Sequence, residues 1–265
     1  MTTSKIKIIF FDIDGTLLKL GEKDLTDTIA MTLNQLQEKG IKLFIATGRP
    51  AFVIPHFEKV SFDGIIAYNG QYCFNNDTII HKQPMDKQDI YHFINNANRM
   101  GHVVQAASAI RMGANGYEPD LDEYFSIANQ KLNVVNDFDQ LLQEDIYQLM
   151  IAVKPSEYES LLKGVTQSKI TSWWPKAVDV IPKNGGKRVG ILKVLDYYGY
   201  DISESMAFGD GGNDLEMLET VGIGVAMGNA VDEVKEHSDY VCKSVDEDGI
   251  YSACLHFNLI EKIDD

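Results

Sequence analysis

Lys5-Ile6-Lys7-Ile8-Ile9-Phe10-Phe11-Asp12-Ile13-Asp14-Gly15-Thr16-Leu17-Leu18 decides how the chain folds. From Ile6 to Phe11 only Lys7 is polar, and a strand so apolar is buried on both faces, as in a parallel sheet. Two carboxylates stand where that strand stops, and Gly15 lets the backbone turn sharply behind them. In open α/β sheets ligands bind at the carboxyl ends of the strands. Asp12 and Asp14 suit an Asx-type turn as well as a ligand site. Their place after a buried strand, and the partners further along, favour the site.

Downstream, Asp24 to Lys39 carries Ile29, Leu33 and Leu36 at helical spacing, with Gly40 where the helix should end. Ile41 to Ala46 is a second buried strand, so the opening is a parallel βαβ unit. This strand runs into Thr47-Gly48-Arg49-Pro50, and Pro50 can open a helix at its first position. A hydroxyl, an approachable glycine N–H and a helix N-terminus suit a phosphate oxygen. Arg49 fits an ion pair within the loop as readily as a substrate contact. Gly64 to Tyr68 is a third strand, and Asn69-Gly70 reads as a hairpin turn or as the mouth of a site.

Around Pro84 the texture changes to an α+β segment of about 100 residues, counted on the sequence. A helix is expected over Asp86 to Arg99 and another over Ser156 to Lys163. Strands are expected within Gly101 to Met112, Glu144 to Val153 and Ala177 to Ile181. Gly113 to Pro119 is the most loop-like stretch. Trp173 and Trp174 suit packing within this segment or the lining of a cleft. From Asn184 the α/β pattern resumes. Lys187 stands in the first turn of a helix, where the dipole disfavours a cation, so it is either solvated or close to an anion. Ser205 to Phe208 is a strand ending in Gly209-Asp210-Gly211-Gly212-Asn213-Asp214, with a helix from Leu215 to Leu218. Further strands are expected at Gly222 to Met227 and Asp239 to Cys242, with helices at Val231 to Glu236 and Asp246 to Phe257.

The chain has 265 residues, 39 acidic against 24 basic, and a net charge of −15. Such a surface repels nucleic acid and anionic lipid, while a local cation or metal can still hold a small anion. No apolar run reaches the roughly 20 residues of a membrane span. Met1-Thr2-Thr3-Ser4 shows no signal-peptide pattern. Cys73, Cys242 and Cys254 form no CxxC pair and read as reduced thiols. A cytoplasmic protein is expected.

Three strand ends thus carry Asp12 and Asp14, Thr47 and Gly48, and Asp210, Asn213 and Asp214, with Lys187 at a helix start. Carboxylates gathered this way repel unless a cation sits among them, and oxygen donors beside phosphate suit Mg²⁺. A carboxylate beside such an ion can attack phosphorus, once the phosphate's charge is screened. A second carboxyl two residues along can protonate the leaving oxygen and later activate water.

These four stretches, in this order, resemble the motifs of the haloacid dehalogenase superfamily of phosphatases. The segment inserted before Lys187 is similar to the large C2-type cap of its Cof-like subfamily. The resemblance implies a Rossmann-like parallel-sheet core, residues 1–83 and 184–265, with an α+β cap, 84–183, that sets specificity. It implies Asp12 as nucleophile and Asp14 as general acid and then base. It implies Mg²⁺ held by the Asp12 carboxylate, the Asp14 carbonyl and Asp210, with Asp214 holding a metal-bound water or the loop. Thr47, Gly48, Lys187 and Asn213 would bind the phosphate of a small phosphorylated metabolite, with sugar phosphates the leading class. Asp14 argues against dehalogenation, for which the second aspartate is lacking. A mutase usually carries a smaller cap between the first two motifs, where this chain has one helix and one strand. Transfer to a second substrate, and a phosphosugar sensor without turnover, are the alternatives; an intact Asp12 and Asp14 disfavours the sensor. Within the cap, Arg111 to Glu118 is the expected specificity loop.

Overall fold

The computed structural model describes residues 6–127 and 130–263; Met1 to Ser4, read above for a signal-peptide pattern, and Lys5 of the opening stretch lie outside the described residues. The chain opens with β1 (Ile8–Phe11), α1 (Asp27–Glu38), β2 (Lys42–Ala46), β3 (Gly64–Ala67), β4 (Tyr72–Asn75) and β5 (Ile79–Lys82). Then come α2 (Lys87–Met100), β6 (Val104–Ser108), β7 (Met112–Ala114), α3 (Pro119–Ile127), α4 (Phe138–Leu141), β8 (Ile146–Ala152), α5 (Tyr158–Leu161), β9 (Ser168–Thr171) and β10 (Ala177–Pro182). It closes with α6 (Lys187–Tyr198), β11 (Ser205–Gly209), α7 (Leu215–Leu218), β12 (Ile223–Ala226), α8 (Asp232–Glu236), β13 (Tyr240–Val241) and α9 (Gly249–His256).

The first and last groups build one sheet in the order β13-β12-β11-β1-β2-β3-β4-β5. It is parallel from β13 to β3 and turns antiparallel at β4 and β5. Side chains alternate across a strand, so β1 feeds two cores. Ile9 and Phe11 pack with Leu33 and Leu36 of α1, while Ile8 and Phe10 pack with Ile191 and Val194 of α6. All four β1 residues are buried, as an all-apolar central strand requires. β1 lies between β2 and β11, one leading on to β3 and the other to β12. That is the switch point at which an open sheet leaves a crevice beyond its strand ends.

The middle group forms a second sheet, β7-β6-β8-β10-β9, with every pairing antiparallel. One face, with Leu149, Ile151, Val178 and Val180, is covered by Ile90, Phe93 and Ala97 of α2. The alternate residues Gln148 and Asp179 reach Gly48 and Asn69 of the first sheet's loops. The architecture is an α/β core with an inserted α+β cap.

Some expectations are corrected. Pro50 opens no α-helix: with ψ 142° it precedes a 3₁₀ turn of three residues, Ala51–Val53. The helix expected over Ser156 to Lys163 is a 3₁₀ turn, Pro155–Glu157, followed by the one-turn α5. The loop-like Gly113 to Pro119 is ordered at both ends: Gly113 and Ala114 belong to β7, and α3 starts at Pro119. The hairpin at Asn69-Gly70 is present, with φ 52° at Asn69 and 99° at Gly70. All three cysteines are buried and free. Among the described residues no helix is long and apolar enough to cross a membrane.

Candidate active site

The strand ends converge on a cavity of about 120 Å³ that opens between the core and the cap. Asp12, Asp14, Thr47, Gly48, Asp210, Asn213 and Asp214 all line it. Lys187 reaches in from α6: its Nζ donates to Asp12 Oδ1 at 2.6 Å and to Asp214 Oδ1 at 2.5 Å. The lysine is buried, not solvated. Burial alone would push its ammonium down, and the Asp12 and Asp214 carboxylates outweigh that and hold it above its ordinary range.

The turn after β1 lies close against the Asp210 side chain at the end of β11. Gly15 has φ +86°, and a Cβ there would stand 2.3 Å from Asp210 Oδ2. Thr16 Oγ1 donates to Asp210 Oδ1 at 2.9 Å, and Asn229 Nδ2 donates to the Gly15 carbonyl at 2.8 Å. Asp214 Oδ2 accepts from the N–H groups of Asp210 and Gly211, which fixes the loop.

Asp12, Asp210 and Asp214 can place one oxygen each within 4.8 Å of one another. Three carboxylates against one lysine leave two negative charges uncompensated. The consequence shows in the acids. Asp12 is pushed up to about 7 by burial, with Lys187 opposing and Asp214 reinforcing. Asp210 is pushed up to about 8 by burial and by Asp12. An all-oxygen donor set short by two positive charges fits a hard divalent cation such as Mg²⁺.

Asp14 is held separately. Arg49 donates from Nε to Asp14 Oδ2 at 2.8 Å and from Nη2 to Oδ1 at 2.6 Å, a two-pronged pair. Arg49 therefore makes the ion pair, one of the two contacts open to it in the sequence. Thr47 is buried, and its Oγ1 accepts from the Arg49 N–H at 3.1 Å. Thr47 and Gly48 line the cavity without a helix N-terminus behind them, because Pro50 starts none.

The cap supplies the facing wall through Met112, Tyr124, Phe125, Gln148, Met150 and Trp173. Among the described residues, every charged side chain lining the cavity comes from the core. Trp173 takes the cleft-lining role as well as packing on Tyr124, at 5.4 Å between ring centroids. Of the expected specificity loop, Arg111 to Glu118, Met112 lines the cavity. Arg111 is tied to Asp137 and Glu144, and Tyr117 is exposed on Asp122.

Sequence reasoning passed over Thr16, Asn229, Tyr124, Gln148 and Asp179. Asn69, whose site-mouth alternative had been open, is buried at the cap–core junction and accepts from Asn213 Nδ2 at 3.0 Å. Its tolerance of positive φ was the available signal. Asp179 had one too, as a lone acid in an otherwise apolar strand. It is 2% exposed, and burial pushes it up to about 7 against the hydrogen bonds from Tyr124 and Asn69.

Comparison with known proteins agrees with this geometry. Residues 9–254 match the family described as haloacid dehalogenase-like hydrolase. The chain is 36% identical over 258 residues to the Bacillus subtilis (strain 168) protein named "Putative phosphatase YkrA", covering 96% of this chain and 99% of that one. It is 30% identical over 269 residues to 5-amino-6-(5-phospho-D-ribitylamino)uracil phosphatase YitU of the same organism, covering 93% and 96%. It superposes on the subclass IIB sugar phosphatase BT4131 with a TM-score of 0.87 at 30% identity, covering 96% of this chain and all of that one. The chain belongs to the haloacid dehalogenase-like hydrolases, in their Cof-like subfamily, and is a phosphoric monoester hydrolase.

Proposed function

We propose that this enzyme hydrolyses small organic phosphate monoesters, sugar phosphates foremost, through a phosphoryl group carried on Asp12. The observation behind it is the buried Asp12 carboxylate at the end of β1, 2.6 Å from Lys187 Nζ in a cavity shared with Asp14. An Asp12 oxygen attacks phosphorus as the ester oxygen departs, and Asp14 gives that oxygen its proton. Asp14 then takes a proton from the water that attacks the aspartyl-phosphate, releasing inorganic phosphate and restoring Asp12. The Lys187 ammonium, the Thr47 hydroxyl, the Gly48 N–H and the Asn213 amide bind the phosphoryl oxygens. Mg²⁺, held by the Asp12 carboxylate, the Asp14 carbonyl and Asp210, would supply charge neutralisation at the phosphoryl group. Arg49 occupies both Asp14 oxygens, so Asp14 leaves this pair and takes up a proton before it serves as the acid.

In this reading residues 1–83 and 184–265 are the catalytic core and 84–183 the specificity cap. The substrate is a small cytoplasmic metabolite; the net charge of −15 supports this against nucleic acid or a membrane surface. The neutral side chains of the cap wall suit a leaving group without charge. The test is phosphate release from sugar, nucleotide and cofactor phosphates with Mg²⁺, beside Asp12→Asn. The variant is expected to lose about 10⁶-fold in turnover, the order seen when an enzyme loses its nucleophile. Retained turnover in folded Asp12→Asn would overturn the assignment.

A further inference from the structure

Asp179 does not line the cavity, yet it is buried at the centre of a chain of polar contacts that does reach it. Its Oδ1 accepts from the Tyr124 hydroxyl at 2.9 Å, and that hydroxyl accepts from Trp173 Nε1 at 3.0 Å. Its Oδ2 accepts from Asn69 Nδ2 at 2.9 Å. Asn69 Nδ2 also donates to Gln148 Oε1 at 3.2 Å, and Gln148 Nε2 donates to the Gly48 carbonyl at 3.1 Å. On its other side Asn69 Oδ1 accepts from Asn213 Nδ2 at 3.0 Å. A Cβ on Gly48 would stand 3.1 Å from the Asn69 amide and 3.3 Å from Asp179 Oδ2, so the phosphate loop is pressed against this pair.

The chemistry of the donors gives the chain a direction. Both Asp179 carboxyl oxygens accept hydrogen bonds here, whereas an amide has one accepting and one donating end. Asp179 Oδ2, with Gln148 Oε1 beside it, therefore turns the Asn69 NH₂ toward the cap and the Asn69 oxygen toward Asn213. That oxygen in turn requires Asn213 to turn its NH₂ inward, which leaves an N–H of the same group for a phosphate oxygen. With either amide reversed, Asn213 would offer phosphate a carbonyl, which repels it. Keeping a carboxylate out of water is costly, and an apolar residue at 179 would orphan the Tyr124 hydroxyl and one Asn69 N–H.

We propose that Asp179 is a positioning residue: it fixes the amide orientation of Asn69, and through it that of Asn213, so that a donor faces the phosphate. The proposal rests on Asn213 binding phosphate in the reading above. Asp179→Asn is the sharpest probe, since it keeps size and shape but can set a donor against the Asn69 NH₂, which weakens the preference for this orientation and leaves Gln148 Oε1 to hold it. Binding of inorganic phosphate to the Mg²⁺-loaded protein is measured by calorimetry for wild type, Asp179→Asn, Asn213→Ala and the double variant, with thermal unfolding to verify folding. Asp179→Asn is expected to weaken phosphate binding about ten-fold, the worth of one hydrogen bond to a charged group. In the Asn213→Ala background it should change binding by less than about two-fold, because coupled residues do not add. Tyr124→Phe, which removes one partner of Asp179 and leaves its charge, should have a smaller effect.

An unchanged affinity in Asp179→Asn would overturn the proposal. So would a full ten-fold loss that persists in the Asn213→Ala background, which marks a general structural role. If wild type binds no phosphate, or Asn213→Ala binds it as wild type does, both the proposal and the role of Asn213 fall. The Asp12→Asn turnover test is separate. Turnover retained there, with the coupling present here, would sink the nucleophile assignment alone.

Discussion

Lys187 is the residue on which the charge balance of the site turns. It is the cation that touches both Asp12 and Asp214 in a buried setting, and removing one partner of a buried pair costs about 3–5 kcal/mol. Lys187→Met is therefore expected to lower stability by about that amount in urea unfolding, with part of the loss regained on adding Mg²⁺. A loss below about 1 kcal/mol would show that the carboxylates had simply taken up protons. The core motif residues were legible because each ends a strand or starts a helix, and such positions can be read from a few neighbours. Asp179 was not, because its partners Tyr124 and Asn69 lie 55 and 110 residues away. Its place as a lone acid in an apolar strand marks it locally, but nothing local names the partners it orders.

At the scale of elements, the cap sheet has one face for packing and one for chemistry. Met150 stands opposite Asp179 across the β8–β10 pairing, and Gln148 also lines the cavity. Trp173, in the turn just after β9, completes that wall. Trp173→Ala should alter the ranking of substrates, changing kcat/KM by about ten-fold or more for those that seat against the ring. Arg111→Ala and Tyr117→Ala should leave the ranking unchanged, since both side chains point to partners outside the cavity. A competition assay over the same esters checks both, and the reverse pattern would return specificity to the loop. The buried strands of the core were legible because two-sided burial writes a continuous apolar run. β5 and β9 were not, being short and only half-buried. The helix α3 was hidden by the Gly-rich run ahead of it, although its Pro119 is well suited to a first turn.

For the whole molecule, the excess of carboxylates ties stability to pH and metal together. Asp12 and Asp210 are both raised above their unfolded values, toward about 7 and 8, so the metal-free fold binds protons that the unfolded chain releases. Their contribution is complete below about pH 4 and is lost as pH rises through 7 and 8. Other acids set their own limits at low pH, so the comparison belongs between pH 6 and 8.5. There the melting temperature of metal-free protein should fall with rising pH, and the increase given by Mg²⁺ should grow, because the ion competes with protons for the same oxygens. Equal Mg²⁺ shifts at both ends of that range would remove the acid cluster as the metal site. A different consequence follows from the buried cysteines. Burial pushes the Cys242 thiol up to about 12 and those of Cys73 and Cys254 higher still, which keeps all three as unreactive thiols in the native fold. A cysteine introduced on the surface of the cap or the core would meet a maleimide dye without competition from them. The natural chain is thus already a background for fluorescence work, on which dyes placed on cap and core report the distance between them one molecule at a time.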